Sequence, residues 1–342
     1  MLIHDPYYDV KAVSNSSLRH INPQQGGSPV EFKAHWDGKA PSLRTSSLEF
    51  GNLLHLAVLE PHLCVYEIDK TNTPDKIRDI LKEMYSSLQA SNDLANAIIG
   101  DDATIGPLED HVYAVIEACN RLAYGRTWRD ETRINKVMSQ GSAYWELLRN
   151  TDKFIITQDQ FELMERCMHS VQNTSHEMTE LLFSKQKDKE GEYHNELEVH
   201  WEWPRYKFPL KGKIDRLWID HKKKEFQIID LKTTSKTLGL FHESFQTYHY
   251  ARQVAFYEMA ADQWIMQTYG ERYKPSLMRD HAICAVETKG ANRAGLFSLC
   301  ENTLQAGRNE MEELLDRVNH HFTHDSWVQE MELETDDFKI YL

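Results

Sequence analysis

The amino-acid sequence predicts an α/β fold, a central mixed sheet with an additional helical region. Three observations point to it. Beyond about residue 190, short stretches alternate apolar and polar positions or run continuously apolar, as strands do. A long amphipathic pattern over 245–267 follows them. Before residue 176 the apolar residues recur instead at helical spacing, around the short strand-like run Phe154-Ile155-Ile156.

Taken in order, Val13-Ser14-Asn15-Ser16-Ser17-Leu18 offers a serine N-cap to a short helix. Residues 22–29, rich in Pro, Gly, Gln and Ser, read as a loop. Ser46 or Ser47 can cap a helix that carries Gly51, His55 and Leu59 at four-residue spacing, with Pro61 marking its end. Over 75–96, Ile77, Ile80, Leu81, Met84 and Leu88 form an apolar stripe that Leu94 extends imperfectly. Further helices are expected over about 109–123 and 158–175, the latter with Phe161, Leu163, Met164, Met168 and Val171. Leu197, Val199 and Trp201 then mark a strand. Residues 213–219 and 226–231 form two more, joined by the charged turn 221–225. A strand at 282–287 and an amphipathic helix at 304–322 complete the pattern. No internal repeat and no linker divides the chain.

Composition narrows the function. The 342 residues are 41% hydrophobic and 27% charged, and eight Trp, fifteen Tyr and thirteen Phe argue against disorder. No apolar run reaches membrane-spanning length, and the N-terminus lacks a secretory pattern, so a cytoplasmic site of action is expected. The five cysteines, Cys64, Cys119, Cys167, Cys284 and Cys300, are odd in number and lack CxxC spacing, so neither a disulfide framework nor a local zinc knuckle is suggested and buried thiols are expected. The formal charge of -14 disfavours a polyanionic ligand at first sight, yet residues 201–252 hold 11 Lys or Arg against 6 Asp or Glu. A locally basic region on an acidic body can still attract phosphate. Part of that excess is Lys222, Lys223 and Lys224, which can simply solvate a turn.

The chemistry centres on Asp215, Asp230 and Lys232. Pairing of the two strands can set the aspartates side by side, and the two-residue step from Asp230 puts Lys232 on its face. Crowded carboxylates repel, and a divalent cation supplies the missing positive charge. A surface Asp230–Lys232 ion pair beside an unrelated Asp215 is the plainer account. Against it, the charged group ends the apolar run Ile228-Ile229, where unpaired burial is costly. Glu196 and Glu198 are further candidate ligands that periodicity cannot separate. His55 could approach from its helix, with Gly51 easing the approach, or be a helix histidine satisfied by a carboxylate. Gln253 and Tyr257 share a helix face. Gln253 could orient water, phosphate or Lys232, and Tyr257 could contact a backbone or stack on a base; alternatively both are structural beside a core Phe256. Lys213, Lys236 and Arg252 are candidate phosphate binders, or solvated charges.

These residues resemble the exonuclease VIII (RecE) family of PD-(D/E)xK nucleases. Gly212-Lys213-Ile214-Asp215 is similar to the segment with the family's first catalytic aspartate, Asp230-Leu231-Lys232-Thr233-Thr234 to its D-x-K-T-T segment, and Gln253-Val254-Ala255-Phe256-Tyr257 to its glutamine-to-tyrosine helix. Val13 to Leu18 resembles its V-S-x-S-x-L signature, and Gly51 to His55 with Val58-Leu59-Glu60-Pro61 its G-x-x-x-H helix and V-L-E-P ending. The stretch 66–152 departs from the family pattern.

The resemblance implies a restriction-endonuclease-like core in a single nuclease domain over 1–342, with core elements at about 13–61 and 190–325 and a helical insertion or cap at about 66–175. It implies Mg2+, or Mn2+, held by Asp215 and Asp230 with His55, Glu196 (favoured over Glu198) or the Leu231 carbonyl. Lys232, Gln253 and Tyr257 would assist catalysis. The implied reaction is processive digestion of double-stranded DNA ends, 5′-to-3′, leaving 3′ single strands for an annealing recombination protein. A ring-like tetramer is the implied assembly. Competing accounts are an end-trimming or structure-selective nuclease, a DNA-binding module that retains the fold without cleavage, and a small-molecule metal hydrolase.

Overall fold

The computed structural model describes residues 6–39, 46–99, 105–184, 191–270, 273, 277–278, 280–328, 332–334 and 339–341. In chain order these form α1 (Asn15–Leu18), α2 (Pro29–Trp36), α3 (Ser46–Leu59), β1 (Tyr66–Ile68), α4 (Asp75–Ile99), α5 (Val112–Arg121), α6 (Asp130–Asn150), β2 (Phe154–Ile156), α7 (Gln158–Asn173) and α8 (His176–Phe183). There follow β3 (Gly191–Trp201), β4 (Leu210–Asp220), β5 (Glu225–Thr234), α9 (Phe241–Thr247), α10 (Tyr250–Tyr269), β6 (Leu277–Met278), β7 (Ala282–Glu287), β8 (Ala294–Ser298), α11 (Glu301–His324), β9 (Glu332–Glu334) and β10 (Lys339–Tyr341). Among the described residues no helix is long and apolar enough to cross a membrane.

The chain divides into two compact units, one of residues 65–162 and the other of the residues on either side. The first is helical. Ile77, Ile80, Leu81 and Met84 of α4 meet Val115 and Cys119 of α5 and Val137, Tyr144, Trp145 and Leu148 of α6. The expected stripe at 77–84 is therefore core, while the side chain of Leu94 lies outside the described residues. Helix α6 escapes the sequence reading because Gly141 and a polar majority dilute its stripe. That glycine lets α4 come close, since an added Cβ would lie 2.7 Å from Leu81. The strand at Phe154–Ile156 pairs in parallel with β1.

In the second unit the sheet order is β3-β4-β5-β7-β8, with β6 also against β5. β4 runs antiparallel to both β3 and β5, β5 and β7 are parallel, and β8 returns antiparallel. The parallel step is made through α9 and α10, as a parallel crossover requires. Strand β7 is buried at every position, and its unbroken apolar run Ala282–Val286 fits a central strand covered on both faces. Val199, Leu217, Ile228, Phe256, Ile265 and Leu315 are among the residues of the main core, which also takes in Val13, Leu18 and Phe32 from the N-terminal segment.

Local chemistry explains the start and stop of the N-terminal helices. Ser14 and Ser17 form a reciprocal capping box on α1. The loop at 22–29 ends in a helix rather than continuing: Ser28 caps α2 and Pro29 occupies its first turn. Ser46 and Ser47 lie inside α3 rather than before it, and α3 ends at Leu59, ahead of Pro61. The expected helix over 245–267 is two helices, α9 and α10, because His249 adopts a left-handed backbone with φ +53° between them.

Helices α10 and α11 touch backbone to backbone, and a Cβ on Gly307 would meet the Ala251 carbonyl oxygen at 2.3 Å. Beside this contact lies a buried polar network. The Ile228 amide donates to His281 Nδ1 (3.1 Å), so the imidazole proton sits on Nε2 and is donated to Glu258 Oε1 (2.9 Å). Arg308 grips the same carboxylate with Nε at 2.8 Å and Nη2 at 2.9 Å. Burial works to raise the Glu258 titration, but the hydrogen bonds from His281 and Arg308 outweigh it and hold the group below its ordinary value. A depressed carboxylate stabilises the fold fully above its unfolded value and loses that contribution as pH falls through its lower folded value. Glu258→Gln should therefore cost about 3 kcal/mol at neutral pH. Urea melts from pH 7 down to 3 should show the gap between variant and parent closing only in the most acid samples.

Candidate active site

Three neighbouring strands bring one carboxylate each to the same level of the sheet. β3 and β4 pair at Asn195↔Arg216 and Leu197↔Ile214, with the rung of Glu196 and Asp215 left out between them. Glu196 has φ +46°, a left-handed backbone that a non-glycine residue adopts at a cost. β4 and β5 pair from Asp220↔Glu225 to Arg216↔Ile229, and their ladder stops one residue short of Asp215 and Asp230. Like charges directly opposite on paired strands repel. Here the ladder gives way at that rung: the Leu231 amide donates instead to Asp215 Oδ2 at 2.8 Å.

His55 reaches this level from α3. Its Nδ1 lies 3.6 Å from Asp215 Oδ2 and 3.9 Å from Glu196 Oε1, and the donor atoms of the three residues lie within 4.8 Å of one another. Burial works to lower the imidazole titration, yet the charge of Asp215 and the contact with Glu196 prevail and raise it. Gly51, one turn earlier, is not demanded by space, because a Cβ there would sit 3.5 Å from Thr233 Oγ1, an ordinary contact.

Asp230 is 1% exposed. Its Oδ2 lies 2.7 Å from Lys232 Nζ but accepts no well-aligned hydrogen bond, and its Oδ1 receives Gln253 Nε2 at 3.3 Å. Burial, opposed by Lys232 and reinforced by the charge of Asp215, pushes the carboxyl up to about 7. Lys232 rises too: burial disfavours its charge, but Asp230 and Asp215 together more than compensate, so it stays an ammonium. Its Nζ stands 5.3 Å from the Tyr250 ring centre. Tyr250 went unnoticed in the sequence, where its only signal is an aromatic residue one turn before Gln253.

The structure revises several roles. Gln253 contacts Asp230, not Lys232, and its amide also donates to the Tyr257 hydroxyl at 2.9 Å. Burial, with the charges of Asp215 and Asp230, drives the Tyr257 phenol well above its usual titration, so it remains protonated. Of the two glutamates, Glu196 is the one whose carboxylate groups with His55 and Asp215. Glu198 is half-exposed and lies 3.2 Å from Lys213 Nζ. What Leu231 contributes in the contacts above is its amide; its side chain is fully buried.

Of the basic candidates, Lys213 sits near the carboxylates, 3.7 Å from Glu196 Oε2. Lys236 lies in an exposed pair with Glu243 at 2.7 Å. Arg252 is not at the surface: it is 2% exposed, and its guanidinium is taken up by Asn15, Gln25 and Glu310. An arginine buried and engaged in this way braces α10 against the N-terminal segment and α11, leaving nothing for a phosphate.

The residues fit a hard divalent cation. The donors are carboxylate oxygens and one imidazole, the set that suits Mg2+ or Mn2+, and the buried Asp230 Oδ2 has no aligned donor among the described residues. Polarising a phosphate, with an ammonium beside it to meet developing negative charge, is what such an arrangement can do.

Comparison with known proteins gives the same class. The family profile of the PD-(D/E)XK nuclease superfamily matches residues 114–336. No curated protein matches the chain. A solved structure of a candidate exonuclease from Eubacterium rectale is similar at 9% identity and a TM-score of 0.47, over 95% of this chain and 88% of that one.

Proposed function

We propose that this chain, which belongs to the PD-(D/E)XK nuclease superfamily, is an exodeoxyribonuclease that hydrolyses DNA from double-stranded ends, 5′-to-3′, and leaves 3′ single strands for recombination. The observation that carries the reading is the single rung of Glu196, Asp215 and Asp230, with His55 and Lys232 beside it. The polarity and the recombination role rest on the motif resemblance to the exonuclease VIII family. So do a single-strand annealing partner and a ring-like tetrameric assembly, which would retain a duplex through successive cuts.

In this reading Asp215, Asp230, Glu196 and His55 would hold Mg2+, with the Leu231 carbonyl as a further ligand; Mn2+ would serve in its place. When bound, the ion would supply Lewis acidity toward the phosphate and the attacking water. Lys232, kept charged by Asp230 and Asp215, orients that water or neutralises charge that develops on the phosphate oxygens. Gln253 holds the Asp230 carboxylate in place, and the protonated Tyr257 holds Gln253. Lys213 and Lys236 would supply phosphate contacts. The chain is read as a single nuclease domain with a helical insertion or cap at about 66–175.

The test is digestion of end-labelled linear duplex beside a closed circle, with Mg2+ titrated and products sized. Loss of the linear species with 5′ label released first supports the reading. Rapid cutting of the circle would make the enzyme structure-selective, and salt-sensitive binding without any product would make the chain a binding module. Glu196→Gln should raise the Mg2+ concentration for half-maximal rate by about 10–100-fold. An unchanged Mg2+ dependence would remove Glu196 from the ligand set.

A further inference from the structure

We propose a second metal site, for a borderline ion such as Zn2+, formed by His20, Glu31 and His35. Glu31 and His35 are four apart on α2, so both project from one side of that helix. His20 comes from the turn after α1, and its Nδ1 lies 2.9 Å from Glu31 Oε1. The rings of His20 and His35 stack with centres 3.4 Å apart and planes 21° off parallel. Donor atoms of all three residues lie within 4.8 Å of one another, the same closeness found at His55, Glu196 and Asp215. None of the three belongs to the nuclease centre.

The chemistry of this cluster differs from that centre. Two imidazoles and one carboxylate suit Zn2+ or Co2+ better than Mg2+, which prefers oxygen. Zinc bonds of about 2.0–2.1 Å in a tetrahedron place donors about 3.3 Å apart, within reach of side-chain rotation from the present spacing. Binding requires both imidazoles neutral, each with its ring proton on the nitrogen that does not ligate. Glu31 is 44% exposed, so the mouth is open to solvent and a water completes the fourth position.

The backbone beneath the site is already fixed. The Ser28 amide donates to the His20 carbonyl at 2.8 Å, and Gly27 lies so close that a Cβ would meet the Arg19 carbonyl oxygen at 2.5 Å. An ion here would tie the turn after α1 to α2. That segment supplies Asn15 and Gln25 to Arg252, the neighbour of Gln253 on α10. The Arg19 side chain is the adjacent positive group that opposes a cation.

The full chain, stripped with EDTA, is titrated with Zn2+ by calorimetry and with Co2+ by visible absorption, in parallel with Glu31→Gln and His35→Gln. The expected result is a loss of one Zn2+ equivalent and of the Co2+ tetrahedral band in each variant, a smaller zinc-induced rise in Tm, and unchanged Mg2+-dependent DNA cleavage. Equal stoichiometry and equal thermal response in parent and variants would overturn the site and leave a His20–Glu31 ion pair. Should His35→Gln fail to fold, Glu31→Gln decides alone, since it alters a half-exposed helix position.

Discussion

Asp215→Asn should lose at least about 1000-fold in Mg2+-dependent DNA cleavage while the metal-free protein keeps its fold. Asp215 is the middle member of the carboxylate rung: Glu196 lies opposite on one side, Asp230 on the other, and His55 above. The amide of asparagine can still accept the Leu231 N–H with its oxygen, so the break in the β4–β5 ladder stays satisfied. What disappears is the charge. In the absence of metal that charge repels Asp230, which is part of why the Asp230 carboxyl stands so high. Its removal should relieve about 1 kcal/mol of repulsion, offset in part by the lost attraction to His55. In EDTA, then, Tm should hold or rise by about 2 °C. In Mg2+ the parent should gain Tm and the variant should not. Single-turnover cleavage of end-labelled duplex and paired thermal melts would check both halves. An inactive variant that also melts far below the parent in EDTA would mark Asp215 as structural, and an active one would remove it from the chemistry.

Lys232→Met should weaken catalysis and stability together. The side chain of Lys232 is largely buried, and its ammonium is the cation 2.7 Å from the Asp230 Oδ2. Methionine fills a similar volume beside Tyr250 but carries no charge. Asp230, already pushed up to about 7, would then rise further and take up a proton at neutral pH, with Gln253 as its remaining polar contact. The variant thus loses the ion pair rather than burying a bare charge, and should be less stable by about 1–3 kcal/mol. The rate should fall by about 100–1000-fold through loss of the group that meets phosphate charge. Arginine at the same position restores charge but not shape, because its planar fork cannot take the place of a compact ammonium. It should recover more stability than rate. Urea denaturation and cleavage of the same preparations separate the two effects. A Lys232→Met protein as stable as the parent would mean that Asp230 carries no charge in the folded state.

The two expectations depend on residues that differ in how they could be found. Asp230-Leu231-Lys232 is legible in the sequence because a strand has period two and charge at the end of Ile228-Ile229 has no cheap explanation. Asp215 follows from the hairpin, since strands joined by a short turn have their register constrained by it. His55 and Gln253 come from helices that flank the sheet, and motif spacing alone brought them into consideration. Arg252 misled because charge in a sequence carries no direction: one position from Gln253 on a helix turns the side chain by about 100°, here away from the site and into a buried network.

Hydrophobic periodicity and turn chemistry act over a few residues, so the α/β class, the strand pair that bears Asp215, Asp230 and Lys232, and the helices on either side follow from residue order alone. Which glutamate groups with Asp215, what Gln253 holds and where Arg252 ends emerge only in the folded chain. Each of these depends on a departure from regular geometry or on contacts between distant segments. Glu196, with its left-handed backbone, groups with His55 and Asp215, and Asn15, Gln25 and Glu310 bury an arginine that no local pattern could place. Local energies write the elements; the packing of segments far apart in the chain chooses which side chains meet.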